Sequence, residues 1–179
     1  MAQRLDDRPR VLVVSRSSVL EDSAAARALA EQERRLSAAL QRQVDEVKAA
    51  LAEEEETLAV ERPNLDPAEF EARAQSFRNR VVVERRDAQR KAAALQQVFR
   101  EARRQLVDAL DPILEEIRVD SGADVIVSTE SVLAAAPGAD VTDAVLAAYD
   151  AQVTVPAVRL PPDLADLARP TLPAPAPQD

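Results

Sequence analysis

Cysteine, histidine and tryptophan are absent from this chain of 179 residues, which has only two glycines and four aromatic residues. Without histidine and cysteine there is no imidazole base, no thiol nucleophile and no His/Cys metal site. Two isolated glycines, Gly122 and Gly138, cannot build a glycine-rich phosphate loop. We therefore expect that the protein is not an enzyme and uses no cofactor and no metal ion.

The chain also lacks an uncharged apolar run of the roughly 20 residues that a membrane-spanning helix needs. Residues 1–7 are too polar for a secretory signal peptide. The absence of disulfides does not fix the compartment, because oxidising compartments permit disulfides without requiring them. Alanine, with 35 residues, favours helix but supplies little core volume. Compact burial is therefore poor, and we expect the chain to associate with copies of itself.

Two short apolar runs bracket a long helical region. The first lies at Val11–Val14 and the second at 125–127, and each has the unbroken apolar pattern of a strand covered on both faces. Two or three such strands are too few for a stable sheet. Closing several copies into one barrel would remove the open strand edges. The sequence therefore predicts a homo-oligomer with a small β body.

Between these runs, apolar positions recur every 11 residues, at 29, 40 and 51 and again at 77, 88, 99 and 110. Eleven residues in three turns give a nearly straight apolar stripe. The matching periods predict an antiparallel hairpin over residues 22–111, with its turn near 63–67. There Pro63 stops one helix, Asp66 can cap the next and Pro67 suits its first position. Pro112 predicts a break, with Asp111 as the cap of the restarted helix.

The remaining segments complete the predicted organisation. Residues 1–9 are expected to be a flexible lead-in, and 10–21 with 112–155 the oligomerisation body, with an edge strand at 153–155. The segment 156–179 holds seven of the 12 prolines, which predicts a disordered tail. The fold class is thus mainly α with a small β body, in which a long antiparallel helical hairpin is inserted between short strands of an oligomeric β-barrel body.

The return half of the hairpin is basic in a chain whose formal net charge is −9. Residues 73–104 carry ten Arg and Lys against three acids, Glu84, Asp87 and Glu101. This pattern fits a cationic surface for acidic partners or anionic lipid. It equally fits a solvated face paired with the acidic outgoing helix. Nucleic acid is not an expected partner, because interleaved aromatic residues and an overall basic balance are missing.

Several phrases in their order resemble the Skp/OmpH family of periplasmic chaperones for outer-membrane proteins. Residues 10–14 open the pattern, and Leu65-Asp66-Pro67-Ala68-Glu69-Phe70, followed by Phe77, lies at the hairpin turn. Residues 122–127 precede Ser131-Val132-Leu133, and Asp140-Val141-Thr142 begins a short helix. The resemblance covers most of residues 10–150. The acidic net charge of the chain and its proline-rich tail depart from the family pattern.

The resemblance implies a homotrimer whose helical arms enclose a cavity for unfolded outer-membrane proteins. It implies an ATP-independent holdase in the periplasm, its signal peptide not present in this chain, with weak contact to a membrane surface. The trimer body would contain Val11, Leu12, Val13, Val14, Val125, Ile126 and Val127. The client-binding arm would present Phe70, Phe77, Arg73, Arg78, Arg80, Arg85 and Arg86. Phe70 and Phe77 either grip the client or pack the hairpin seam. The alternative function is a structural coiled-coil stalk or spacer.

Overall fold

A computed structural model describes residues 10–168 and shows a mostly helical chain with two short strands. The predicted helical hairpin between short strands is confirmed. The elements in chain order are β1 (Val11–Val14), α1 (Arg16–Asp22), α2 (Ala24–Glu61), a 3-10 turn (Arg62–Asn64), α3 (Pro67–Asp108), α4 (Leu110–Asp120), β2 (Val125–Ser128), a second 3-10 turn (Thr129–Ser131), α5 (Thr142–Gln152) and a 3-10 helix (Pro162–Ala168). The lead-in predicted for 1–9 and the tail end at 169–179 lie outside the described residues.

The chain forms two compact units. The body unit contains described residues 10–32 and 99–158, and the hairpin unit contains 33–98 and 159–168. The boundaries between body and hairpin were predicted at 21/22 and 111/112. In the structure they lie inside the long helices, at 32/33 in α2 and at 98/99 in α3. The reason is burial: Ala25 and Leu29 of α2 and Phe99 and Leu106 of α3 are buried within the body unit.

The sheet of the body unit has two parallel strands. β1 pairs with β2 in the register Val11 to Val125 through Val14 to Ser128. On its other side, Val13 donates to the carbonyl of Ala139 and accepts from the amide of Val141. β1 is therefore the central element, and β2 is an edge strand within the described chain. The edge strand expected at 153–155 is absent from the structure, where these residues are irregular.

The core of the body unit is formed by apolar side chains from β1, α1, α4 and α5. Its buried members are Val14, Val19, Leu110, Ile113, Val145 and Tyr149. The Tyr149 hydroxyl donates a 2.6 Å hydrogen bond to the carbonyl of Leu106. Leu106 lies three residues before the interruption between α3 and α4, so this bond satisfies a carbonyl at the irregular part of the helix.

The interruption between α3 and α4 falls at Ala109 and not at Asp111, so the prediction of an Asp111 cap is wrong. A proline ring clashes with the carbonyl four residues earlier, which for Pro112 is that of Asp108, the last residue of α3. Pro112 itself is tolerated in the first turn of α4, where its missing N–H has no intrahelical partner to lose. Asp111 instead pairs with Arg16 at 3.1 Å.

In the hairpin unit, α2 and α3 are joined by the 3-10 turn at Arg62–Asn64. Asp66 starts α3, because its carboxylate accepts from the amide of Ala68 at 2.9 Å and its carbonyl from the amide of Phe70 at 2.9 Å. The position of Pro67 as the first residue of α3 suits its fixed φ and missing donor.

The expectation of a disordered tail is corrected for residues 162–168. These residues form a 3-10 helix that belongs to the hairpin unit. Leu164 is completely buried and Leu167 is 7% exposed. The high proline content of the tail predicted disorder, but two leucines three residues apart give this segment an apolar side to bury.

Candidate functional site

The apolar seam of the hairpin unit is only partly covered over most of its length. Val44, Leu51, Phe77 and Val81 are half-buried, and no side chain from 41 to 94 is fully buried. Two helices alone shield one stripe of each other and leave its flanks open to water. The seam therefore offers continuous apolar contact area along the hairpin unit.

A cavity of about 390 Å³ opens on this seam. Its apolar lining comes from Leu40, Val44, Val47, Leu51, Val81 and Ala88. An adjoining cavity of about 380 Å³ shares Leu40, Val44 and Ala88 and extends to Ala92. Ala88 and Ala92 each contribute a single methyl group, so α3 leaves the space unfilled where they face α2. The result is an apolar groove large enough for side chains of another segment.

Basic side chains of α3 nearer the hairpin turn are paired with acidic side chains. Arg73 reaches across the hairpin to Glu61 at 3.0 Å, and Arg80 reaches across to Glu54. Arg78 pairs with Glu71 at 2.6 Å along α3. Pairing with the acidic outgoing helix is therefore present for Arg73 and Arg80, whereas Arg78 is paired within α3. These pairs are exposed, so each stabilises the hairpin by only about 0.2–1 kcal/mol.

Asp87 lies at the rim of the groove between two cations. Lys91 Nζ lies 2.8 Å from Asp87 Oδ2, and Arg90 contacts its other oxygen. The hydrogen bond and charge of Lys91, with those of Arg90, hold the pKa of Asp87 below its usual value. Asp87 is therefore ionised at neutral pH and neutralises part of the local positive charge.

Arg85 and Arg86 differ from the other predicted arm residues. Both are exposed, and neither side chain makes an ion pair or hydrogen bond with another residue among 10–168. Arg85 also lines the 390 Å³ cavity. These two guanidinium groups are available to carboxylates of another molecule, and bidentate geometry favours that pairing.

Phe70 and Phe77 lie on α3 and are both half-buried. The guanidinium of Arg62 lies 5.3 Å from the centre of the Phe70 ring, a cation–π contact at the hairpin turn. Phe70 therefore has a partner within the chain on one side, whereas no aromatic contact of Phe77 is present in the described chain. Both rings keep part of their surface in water.

The predicted oligomerisation residues divide by exposure. Leu12, Val13 and Val14 are buried within the chain, whereas Val11 and Val125 are 43% and 42% exposed. Ile126 and Val127 are half-buried on the edge strand β2. Beside this edge, a groove of about 430 Å³ is lined by residues of β2 and α4. Leu133, in the following loop, is fully exposed.

This arrangement suits reversible contact. Across residues 10–168 no cluster of three or more acidic side chains is placed to hold a metal ion. None of the helices in the described part of the chain could span a membrane. What the geometry offers is a partly open apolar seam with Arg85 at its rim, which can take many weak contacts at once.

The sequence pattern predicted the apolar stripes of both helices, but several residues that line the cavities lie outside this pattern. Val44 lies outside the 11-residue repeat and contributes to both cavities. Leu164 and Leu167 were passed over because prolines dominate their surroundings. A spacing of three between leucines, each preceded by a small residue or aspartate, is the signal that could have identified this short helix.

Comparisons with known proteins agree with the described fold. The family model for outer membrane protein (OmpH-like) matches residues 10–149. A solved structure from Caulobacter crescentus CB15, titled as a candidate OmpH-like outer membrane chaperone, aligns with a TM-score of 0.79 at 19% identity. The alignment covers 84% of this chain and 89% of that one, and at this identity it demonstrates the fold alone. Among curated proteins no match was found.

Proposed function

The chain belongs to the OmpH-like family of outer membrane proteins, and from this premise we propose that it is an ATP-independent periplasmic holdase for unfolded outer-membrane proteins. The similarity of this chain to the Caulobacter structure, which is described as that of a candidate OmpH-like outer membrane chaperone, supports a chaperone role. The single observation that carries the proposal is the half-buried apolar seam between 41 and 94, with its 390 Å³ cavity.

Such a surface suits holding because each contact is weak. An unfolded barrel protein exposes many separated apolar side chains, and each can enter a different part of the seam. Linked weak contacts give high overall affinity without any fixed site. Release then needs no ATP, because each contact breaks on its own and the client leaves once its folded state removes its apolar side chains.

The charged rim contributes attraction and orientation. The side chains of Arg85 and Arg86 lack partners in the described chain, and Arg85 lines the cavity on the seam. They would attract carboxylates of an acidic client and speed its encounter at low salt. The phenyl ring of Phe77 would supply apolar area next to them, and the cross-hairpin pairs of Arg73 and Arg80 would keep the two helices together.

Assembly as a homotrimer is part of the proposal. In a single described chain, the hydrogen-bonding groups on the open edge of β2 face no further strand. Apolar side chains are also exposed, at Val11, Val125 and Leu133. Covering that edge with strands of other copies would complete a small barrel and remove the open edge. Three hairpin units would then surround one client.

Binding can be followed through the client, because this chain contains no tryptophan. An outer-membrane β-barrel protein that contains tryptophan is unfolded in urea and diluted into increasing amounts of the chain. We expect a saturable change of tryptophan emission that ATP does not alter, and several-fold weaker binding by Phe77→Ala. The matched control is Ser76→Ala, an exposed neighbour that should bind like the natural chain. An emission that does not respond to the chain at any concentration would overturn the proposal.

A further inference from the structure

The C-terminal 3-10 helix, Pro162–Ala168, lies beyond the family match and carries two buried leucines. Leu164 and Leu167 are three residues apart and share one side of a helix with three residues per turn. So short a helix cannot cover its own leucines, so their burial requires other residues of the hairpin unit. Arg90 Nε lies 3.8 Å from Asp163 Oδ2, which places the segment beside α3.

Burial along the seam changes near this segment. From 41 to 94 the seam residues are half-buried or, at Val47, exposed, but Leu36, Leu40 and Leu95 are only 7%, 8% and 4% exposed. Two helices of the same pattern run through both stretches. Within the hairpin unit, the short segment 159–168 is the additional element that can provide a third side to the seam. The contact of Asp163 with Arg90 places this segment at the end of the seam where these leucines lie.

We propose that the apolar seam of the hairpin unit is a binding surface for short acidic segments with a Leu-x-x-Leu pattern, and that residues 161–168 are a built-in occupant that competes with clients for it. This inference rests on the proposed holdase function and names the client chemistry. Leu164 and Leu167 provide the apolar side, and Asp163 meets Arg90.

Competition follows from the tether. A segment on the same chain acts at an effective concentration on the order of millimolar, so even weak docking keeps its part of the seam occupied. A client segment must displace it or bind further along the seam, where the 390 Å³ cavity is bordered by the unpaired Arg85. The segment thus limits non-productive binding of apolar peptides while leaving the rest of the seam open to long clients.

The test uses a fluorescein-labelled peptide with the sequence of residues 159–168 and the full chain. Its fluorescence anisotropy is titrated with the natural chain and with the variant Leu164→Asp/Leu167→Asp, whose own segment cannot dock. We expect the variant to bind the peptide at least about tenfold more tightly, because the tethered competitor is removed. Ala165→Asp is the matched control, since Ala165 is exposed in the same segment, and it should behave like the natural chain.

Two further variants keep the result interpretable. Asp163→Arg, at an exposed position, releases the segment without placing a charge among buried leucines, so it should also bind the peptide more tightly than the natural chain. Arg90→Glu added to the double variant should weaken peptide binding. Equal affinity of the peptide for the natural chain and for both released variants, or no binding to any of them, would overturn the inference.

Client binding, read from client tryptophan emission, separates this inference from the function on which it rests. Tighter client capture by the released variants than by the natural chain supports the competition. Equal client binding by all chains, together with equal peptide affinity, would retain the holdase and overturn the competing segment. Tighter peptide binding by the released variants without binding of any unfolded barrel protein would retain the docking site and overturn both the holdase function and the assigned client chemistry.

Discussion

Asp140, Thr142 and Ser15 form a hydrogen-bonded network that joins the start of α5 to the end of β1. The Asp140 carboxylate accepts from the Thr142 amide at 2.9 Å and from its hydroxyl at 2.6 Å. The Thr142 hydroxyl in turn accepts from the amide of Ser15 at 2.9 Å. The two bonds from Thr142 lower the pKa of Asp140. One short sequence phrase thus fixes a helix start and its attachment to the sheet.

This network predicts a pH-dependent stability. Asp140→Ala should lower the free energy of unfolding by about 1 kcal/mol at neutral pH, because helix-start hydrogen bonds are lost. A depressed pKa contributes stability above the unfolded value near 4 and loses it as pH falls through the folded value. Urea unfolding should therefore show the difference between the natural chain and the variant shrinking as the pH falls below the unfolded value. Asp140→Asn keeps an acceptor oxygen, so it should lower the free energy of unfolding by less than Asp140→Ala does. An equal loss in the two variants at every pH would contradict a role for these hydrogen bonds.

The hydroxyl group of Tyr149 gives a second prediction at the scale of a single residue. Tyr149→Phe leaves the Leu106 carbonyl without its 2.6 Å partner in a buried place, which should cost about 1–2 kcal/mol of unfolding free energy at neutral pH. Burial, and then the charge of Asp150, raises the pKa of Tyr149. Its contribution is therefore complete below about pH 10 and is lost as the pH rises through the folded value. Chemical denaturation followed by circular dichroism measures both effects, and an unchanged midpoint at neutral pH would count against the hydrogen bond.

Local chemistry near single residues was partly readable from the sequence. Asp66 and Pro67 could be assigned to a helix start, because capping and a fixed φ act within four residues. Asp111 could not be placed, because the break at Ala109 depends on which carbonyl the Pro112 ring meets and on the Tyr149 hydroxyl, whose acceptor Leu106 lies 43 residues earlier in the sequence. Side-chain pattern alone contains no information on that partner.

At the scale of elements, the hairpin unit is held by a sparse set of contacts across α2 and α3. Arg80 and Glu54 form one such contact, with both side chains partly in water. A double-mutant cycle of Arg80→Ala and Glu54→Ala should give a coupling of less than about 1 kcal/mol, and high salt should reduce it. Thermal unfolding of the four chains measures it, with Arg85→Ala as the control because Arg85 has no partner in the described chain. A coupling of several kcal/mol that salt does not change would refute the view of a loosely held hairpin.

The hairpin itself was predictable and its third element was not. The 11-residue repeat and the Pro63–Pro67 turn signals identify two helices of matching period, since periodicity is a property of each helix alone. The docking of Leu164 and Leu167 depends on a seam that two helices leave open, which only the packed structure reveals. The cavity at Ala88 likewise follows from which α2 residue faces a small side chain.

For the whole molecule, the exposed edge of β2 determines the expected assembly. Val125→Asp places a charge at a position that is 42% exposed in the single chain, so the body unit should fold while the proposed trimer separates. Light scattering after size exclusion should give three times the chain mass of 19.5 kDa for the natural protein and one times that mass for the variant. Val83→Asp, on an exposed part of α3, should keep the trimer mass. A natural chain with the mass of two copies would favour the stalk function instead.

The small β body illustrates what a single sequence determines at this scale. Two apolar runs predicted strands, and their pairing was found within one chain. The number of copies that covers the β2 edge depends on strand tilt and closure geometry, which four-residue strands do not determine.

The most direct test of the central claim is the aggregation of an unfolded outer-membrane β-barrel protein diluted from urea, followed by light scattering with and without this chain. If the hairpin seam holds unfolded proteins, scattering is suppressed, without ATP, once about one trimer is present per client. Scattering that rises equally in the presence of the chain, at any ratio, would contradict the claim that this partly open hairpin seam holds unfolded proteins.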